Sequence, residues 1–258
     1  MAPPRGRRTG RRRRARPGAL GLGPRLAPTY GSGAGHSYAI PTTREGGIWA
    51  PGGGVVLGDR LYYAVGNGES TSGFDGSDTV IALDPALRRT DFFAPSTWAD
   101  DNDKDLDLGS LTPAVVGSTI VIAGKRGVGY VLDPAHLGGI GGQRGQSEIC
   151  AAFGGAAVSG TTVFLPCNDG IRSATLEGGS LRTGWHGPSG AKGSPVVAGG
   201  AVWVVDYNGG VLYALNPGTG AALAQIRVGQ APNFASPTLS GSRAYVGTRA
   251  GVTAVGGA

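Results

Sequence analysis

The sequence predicts an all-β fold, a β-propeller built from four-stranded antiparallel blades. One observation is a repeated phrase of the form Gly-Val-x-Tyr-x-Leu-Asp/Asn-Pro, clearest at residues 127–134 and 210–217. A second is composition, since 50 of the 258 residues are glycine, 17 are proline and no segment has helical periodicity. Repeats of about 40 residues made of short strands are typical of propeller blades. Two weaker copies of the phrase contain Gly170 and Gly251. With Gly127 and Gly210 from the clear copies, these marker glycines are 43, 40 and 41 residues apart.

Each repeat also carries a pair of short apolar runs ahead of the marker phrase. The runs are rich in Val, Ile, Thr and aromatic residues, and Gly-Ser or Gly-Gly dipeptides join them, which is typical of β-hairpins. Such pairs lie at residues 113–122, 195–204 and 236–245. Each repeat therefore supplies three or four antiparallel strands. An all-β sandwich has strands of similar length, but its sequence does not repeat, so the repeat favours the propeller.

The repeats divide the chain into a tail and a propeller region. We expect a disordered tail over residues 1–43 and blades over residues 44–258. Four complete repeats and part of a fifth are fewer than closed propellers usually contain. We therefore expect an open ring from the C-terminal portion of a longer propeller or from a truncated gene model, with a small closed ring or an assembled dimer as alternatives. The expected blades span residues 46–95, 105–140, 147–185, 192–228 and, as a partial blade, 232–258.

Positive charge is concentrated in the tail. The formal net charge is +6, but nine arginines fall within the first 25 residues, where no acidic residue occurs. The remaining 14 basic and 17 acidic side chains give the folded body no positive excess for nucleic acid. The tail is either an extension without a role, a basic arm or a targeting signal. Its apolar stretch, residues 18–23, is too short for a secretory signal peptide, and no segment predicts a transmembrane helix.

Two cysteines, Cys150 and Cys167, bracket a predicted hairpin tip. With the turn centred near Val158 and Ser159, the cysteines lie almost opposite each other on adjacent strands, which suits a cross-strand disulfide. Two buried reduced thiols are the alternative. No second set of Cys or His residues has metal-ligand spacing, so the sequence does not predict a zinc site.

An acidic segment at residues 101–107 carries a carboxylate at every second position. Oxygen ligands at this spacing can converge on calcium in a loop. An EF-hand would need glycine and glutamate where Leu106 and Thr112 stand. The alternative is a solvated acidic loop before a strand. The candidate calcium ligands are Asp101, Asp103, Asp105 and Asp107.

The repeats resemble those of the pyrroloquinoline-quinone (PQQ) type propellers, the family of quinoprotein alcohol dehydrogenases and their non-enzymatic relatives. The resemblance covers residues 46–256 and is carried by phrases such as Gly-Val-Leu-Tyr-Ala-Leu-Asn-Pro-Gly-Thr-Gly at 210–220. Ala221 and Ala224 stand where the family has lysine and tryptophan. Because the family usually works outside the cytoplasm, the resemblance and a disulfide together imply an extracytoplasmic location.

The dehydrogenases of this family hold PQQ through a calcium ion bound by Glu, Asn and Asp side chains. The resemblance implies Asn67, in the phrase Gly-Asn-Gly, as a calcium contact and Asp105 as the base that removes the substrate proton. The tryptophan that precedes this Asp, the blade that supplies the Glu and the adjacent-cysteine ring are missing from the sequence. These losses argue against a complete dehydrogenase site.

The sequence thus predicts a non-catalytic binding or scaffold module that offers its blade loops to a protein or a small ligand. No cofactor is expected for that function. The alternative is a fragment of a PQQ- and calcium-dependent alcohol or sugar dehydrogenase. Open blade edges also favour self-association.

Overall fold

The computed structural model describes residues 25–26 and 35–256. Most of the predicted disordered tail lies outside these residues. Strand β1 (Arg25–Leu26) pairs antiparallel with strand β2 (Tyr38–Ala39), and Ile40 is buried.

Within residues 35–256 the remaining elements are short strands, one short α-helix and one 3₁₀ turn. Many of the turns between strands contain glycine, as the repeat predicts. Along the first half of the chain the elements are β3 (Val55–Leu57), β4 (Arg60–Ala64), β5 (Val80–Leu83), β6 (Arg89–Ala94), α1 (Trp98–Asp103), the 3₁₀ turn Leu108–Ser110, β7 (Ala114–Val116), β8 (Thr119–Ala123), β9 (Val128–Leu132), β10 (Gly139–Ile140) and β11 (Gly145–Glu148). Along the second half they are β12 (Ala157–Ser159), β13 (Thr162–Cys167), β14 (Gly170–Glu177), β15 (Ser180–His186), β16 (Val196–Ala198), β17 (Ala201–Asp206), β18 (Val211–Leu215), β19 (Ala222–Arg227), β20 (Thr238–Ser240), β21 (Arg243–Thr248) and β22 (Gly251–Gly256).

Beyond the β1–β2 pair, these strands form five consecutive sheets, which we call blades 1 to 5. Blades 2, 3 and 4 have four antiparallel strands each, and blade 5 has three, β20-β21-β22. Blade 1 is the antiparallel meander β3-β4-β5-β6 with one additional strand at its outer edge. The predicted propeller of four-stranded antiparallel blades is confirmed.

Two short strands lie where the sequence did not place them. β11 pairs antiparallel with β9 as the outer strand of blade 2, so this blade extends past the expected boundary at residue 140. β10 leaves blade 2 and pairs in parallel with β6 of blade 1. The segment that contains both strands is rich in glycine and polar residues, so no apolar alternation marks either strand.

The four marker glycines lie where the second strand of blades 2 to 5 turns into the third. All four have positive φ, between 67° and 134°, a region that residues with a Cβ rarely adopt. A Cβ at Gly170 would come within 2.6 Å of the Pro188 carbonyl oxygen, and a Cβ at Gly210 within 2.8 Å of the Gly229 backbone. The repeat is therefore set by a left-handed turn and, at these two positions, by a close approach to the connection that follows the blade.

The hydrophobic core is a series of layers between neighbouring blades. Blades 1 and 2 bury Tyr62, Phe93 and Ile122 together, and further clusters fill the three following interfaces. The outer side of blade 1 is also covered, because Ile40 and the partly buried Ile48 pack against its buried face. Residues ahead of the first blade thus close one of the two faces that an open ring exposes.

The other end of the ring remains open in the described residues. No hydrogen bond between residues 35–256 links blade 5 to blade 1. β22 is the outer edge of blade 5, and Val252 on this strand is 74% exposed. The expected open sheet edge is therefore located at β22.

Candidate functional site

The candidate site residues lie in loops at one end of the propeller. In an antiparallel meander, the turn between the second and third strands lies at the same end as the start of the first strand. Backbone hydrogen bonds join these two kinds of loop: the Asn168 N–H donates to Ala151 O, and the Ala231 N–H to Tyr207 O, both at 2.9 Å. We call this end the loop face.

Lys125 connects Asp105 with Asn67 through Asp107, and the family resemblance selects both Asp105 and Asn67. Its Nζ donates a hydrogen bond to Asp105 Oδ1 at 2.8 Å and forms an ion pair with Asp107 Oδ2. Asp107 is fully buried, and its Oδ1 accepts a hydrogen bond from the Asn67 backbone N–H at 2.7 Å. The structure therefore brings Asn67 and Asp105 to one site, with Asp107 and an ammonium group between them.

The ion pair determines the proton affinities at this site. The hydrogen bond from Lys125 holds the pKa of Asp105 below its ordinary value. Burial lowers the pKa of Lys125, but its hydrogen bonds to Asp105 and Asp107 outweigh burial and hold that pKa above its ordinary value. In this structure Asp105 is therefore an ion-pair partner of Lys125.

The acidic residues at the start of the segment lie on α1 and contact Arg126. The Arg126 guanidinium contacts the carboxylates of Asp100 and Asp101. Asp101 is buried, and its Oδ2 accepts a hydrogen bond from Thr97 Oγ1 at 2.8 Å. Burial raises the pKa of Asp101, while its bonds to Thr97 and Arg126 oppose the rise. Asp103 is exposed.

The four candidate calcium ligands do not converge. Residues 101 and 103 belong to a helix and Asp105 has a φ of 54°, so the extended loop that alternating ligands require is not formed. Within residues 25–26 and 35–256, no three Asp, Glu, His or Cys side chains are placed to hold a metal ion together. Lys125 and Arg126 supply the positive charge instead, so the site does not fit the family's calcium-bound quinone. The alternative interpretation, a fully solvated acidic loop, does not hold for Asp101 and Asp107, because both side chains are buried.

A buried polar cluster lies behind these ion pairs. Asn102 Oδ1 accepts a hydrogen bond from the Gly68 N–H at 2.7 Å, and its Nδ2 donates to Ser70 O at 2.6 Å. Asp78 is fully buried, and its Oδ1 accepts the Leu108 N–H at 2.8 Å. Asp78 Oδ2 has no hydrogen-bond partner among the described residues. Burial is the main reason that the pKa of Asp78 rises to about 8.

Cys150 and Cys167 form a disulfide, with their Cα atoms 5.8 Å apart. The hairpin turn falls at residues 160–161, two positions later than the sequence analysis placed it. The cysteines still meet, because the chain before β12 bends back and Ala152 forms a bridge with Cys167. The disulfide fixes the connection between blades 2 and 3 to the end of β13 on the loop face.

A second feature of the loop face is a cleft formed by loops of blades 3, 4 and 5. The cavity has a volume of about 310 Å³. Three aromatic side chains, two amides and one ammonium line it, and none of its lining residues is acidic. These residues are Phe153, Asn168, Lys192, Tyr207, Asn233 and Phe234. We call it the Lys192 cleft.

Sequence reasoning missed the residues that organise this face. Lys125 and Arg126 are two adjacent cations at a turn between strands, and this charge pair was an available signal. Asp78 and Lys192 have no local motif that distinguishes them from solvated residues. Their surroundings arise from contacts between blades.

Comparisons with solved structures agree with this architecture. BamB from Moraxella catarrhalis matches with a TM-score of 0.61 and 18% identity, over 86% of this chain and 63% of that one. The chain has the β-propeller fold. The β-propeller domain of Cps50 (Swd1) from Myceliophteria thermophila matches with a TM-score of 0.56 and 11% identity, over 76% of this chain and 65% of that domain. The chain thus spans less than two thirds of either protein.

No protein-family model matches the sequence, and no curated protein matches it. At these identities the structural likeness describes the fold alone. Residues 25–26 and 35–256 include no helix with the length and hydrophobicity of a membrane span.

Proposed function

We propose that this chain is a non-catalytic β-propeller binding module whose loop face receives a protein or a small ligand. The observation that carries the proposal is the pairing of Asp105 and Asp107 with Lys125. Carboxylates that would serve as base or calcium ligand are neutralised by a side chain of the same protein. What remains on the face is a rigid set of turns with a cleft, which suits recognition more than bond-breaking chemistry.

We extend the proposal to ancestry and location. The repeated phrase at residues 127–134 and 210–217 supports descent from PQQ-like repeats that have lost the cofactor. The Cys150–Cys167 disulfide supports an extracytoplasmic location, such as the cell envelope, because structural disulfides persist mainly in oxidising compartments.

Reconstitution with PQQ and calcium tests the non-catalytic role. We expect no dye reduction with simple alcohols or sugars, because Lys125 already occupies the space between Asp105 and Asp107. We also expect the melting temperature to be the same in calcium and in chelator, since a ligand that binds only the folded state would raise it. Both measurements use the 258-residue chain.

The matched control is Asp105→Asn, which keeps the shape of the side chain and removes its charge. Dye reduction by the parent that Asp105→Asn abolishes would overturn the proposal in favour of the dehydrogenase alternative. A calcium-dependent rise in melting temperature that is lost in the same variant would restore the predicted metal site.

Self-association through the open edge is a second expected property. β22 presents an unpaired edge in the described structure, with Val252 exposed on it, and such edges pair with other chains unless a charge interrupts them. We expect concentration-dependent oligomers in sedimentation velocity, and we expect Val252→Lys to weaken their association about tenfold. Val56→Lys changes another exposed valine, on β3, and should leave association unchanged. Equal effects of the two variants, or a monomer at all concentrations, would contradict this expectation.

A further inference from the structure

The Lys192 cleft contains a cation without an ionic partner. The chain has three lysines; Lys104 and Lys125 each form an ion pair with aspartate, whereas Lys192 forms none with the residues in the described ranges. Lys192 is half-buried, and none of the residues that line the cleft is acidic. A partly desolvated ammonium in such surroundings attracts an anion more strongly than one in water.

Three aromatic residues line the same cleft as Lys192. Phe153, Tyr207 and Phe234 are all half-buried and line the same cavity. Phe234 has a φ of 65°, a conformation that costs a residue with a side chain about 1–3 kcal/mol. Its ring lies beside Gly154, where a Cβ would come within 3.6 Å of Phe234 Cδ1. Strain of this kind is concentrated at ligand sites, because the surrounding structure holds the side chain in a required position.

The backbone around the cleft is fixed before any ligand arrives. The Phe153 N–H donates to Pro166 O at 2.9 Å, and the disulfide joins Cys167, in the cleft wall, to Cys150. The cleft is therefore held by hydrogen bonds and a covalent link rather than by loose loops. A ligand that enters it meets a low ordering cost, and this favours binding.

We infer that the Lys192 cleft binds a carboxylate attached to an apolar body, with the carboxylate at Lys192 and the body between Phe153 and Phe234. The amides of Asn168 and Asn233, both exposed at the cleft, can donate to the second carboxylate oxygen. A cavity of about 310 Å³ accommodates roughly ten to fifteen non-hydrogen atoms, the size of a phenylalkanoic acid. The inference rests on the proposed function, since it names the ligand class for the same loop face.

The test compares an acid with its neutral amide on the whole chain. The probes are 3-phenylpropionate and 3-phenylpropionamide, titrated by isothermal calorimetry and ligand-observed NMR. We expect the acid to bind at least about tenfold more tightly than the amide, because only the acid forms a charge-assisted bond with Lys192. Lys192→Met should abolish this difference while keeping the apolar stem.

Lys104→Met is the matched control, because Lys104 pairs with Asp100 and does not line the cleft; it should retain the preference for the acid. Equal binding of acid and amide to the parent, no binding of either, or an unchanged preference in Lys192→Met would each overturn the inference. These results are independent of dye reduction, so the inference can fail while the non-catalytic role stands, and the reverse.

A second pair of probes separates two sources of the carboxylate. N-acetyl-Ala-Ala-Phe is offered as the free acid and as the C-terminal amide. Tighter binding of the peptide acid than of 3-phenylpropionate would support the inference with a polypeptide terminus as the source. Binding of 3-phenylpropionate alone would support it with a free small acid. If both peptides bind, and the amide binds as tightly as the acid, the inference is overturned, because Lys192 would then play no part.

Discussion

Replacing Asp78 with Asn is expected to stabilise the protein at neutral pH by on the order of 3 kcal/mol. Asp78 is fully buried, and burial raises its pKa from 3.8 to about 8. At pH 7 the Asp78 carboxyl is ionised in the unfolded chain but protonated in the folded protein. Folding must therefore take up a proton, which lowers the free energy of unfolding. Asn keeps the oxygen that accepts the Leu108 N–H, carries no charge and tolerates the φ of 46° at this position.

The pH dependence has a defined sign. A carboxyl whose folded pKa is raised contributes most stability below its ordinary pKa of 3.8 and loses that contribution as pH rises towards about 8. Nearby Asp101, Asp107 and Asp75 add to the rise because their negative charges disfavour ionisation of Asp78. The advantage of Asp78→Asn over the parent should therefore grow across this window, by at most about 1.4 kcal/mol per pH unit.

Urea unfolding between pH 4 and 8, the window that the Asp78 pKa of about 8 defines, checks the prediction. Asp59→Asn serves as the control, because Asp59 is exposed in the turn between β3 and β4 and should show no growing difference. A variant less stable than the parent at pH 7, or a difference that does not change with pH, would contradict the prediction.

The fold was predictable because its signal is local. The marker glycines combine a left-handed turn with the start of an apolar strand, and both properties are visible within a few residues. β11, with the sequence Gly-Gln-Ser-Glu, has no such signal. Its pairing with β9 depends on the position of the whole blade, which no window of sequence contains.

The candidate site was less predictable, because its partners are distant along the chain. Alternating carboxylates at residues 101–107 indicate convergence only if the segment is extended, and α1 removes that condition. The partners that decide their roles, Lys125 and Arg126, lie on the next blade. The family resemblance selected Asn67 and Asp105, which lie in one region of the structure, but the sequence could not show that Lys125 lies between Asp105 and Asp107.

The two parts of the loop face differ in how charge is compensated. Between blades 1 and 2, Lys125 and Arg126 are neutralised by aspartates of the same chain, so this part is complete without a ligand. In the Lys192 cleft the ammonium has no acidic partner within residues 35–256. An anion-binding cleft is expected to contain a cation that has no ionic partner in the protein. The ion-paired region between blades 1 and 2 provides a rigid support beside it.

Breaking the Cys150–Cys167 disulfide is the second large effect. The bond spans 17 residues, and closing a loop of that size lowers the entropy of the unfolded chain by an amount worth about 3 kcal/mol. We expect reduction of the parent to lower its unfolding free energy by that amount in urea titrations. A free-thiol assay before and after reduction verifies the state of the two residues.

Cys150→Ala/Cys167→Ala is the matched variant, because it removes the bond and makes stability insensitive to the reducing agent. Oxidised and reduced parent of equal stability would contradict the prediction.

The same comparison of oxidised and reduced protein also tests how the disulfide affects ligand binding. Cys167 lies in the wall of the Lys192 cleft, beside Asn168, and the bond holds the preceding connection against β13. Reduction should therefore weaken binding of 3-phenylpropionate as well, since the carboxylate must then order a wall that the disulfide had already fixed.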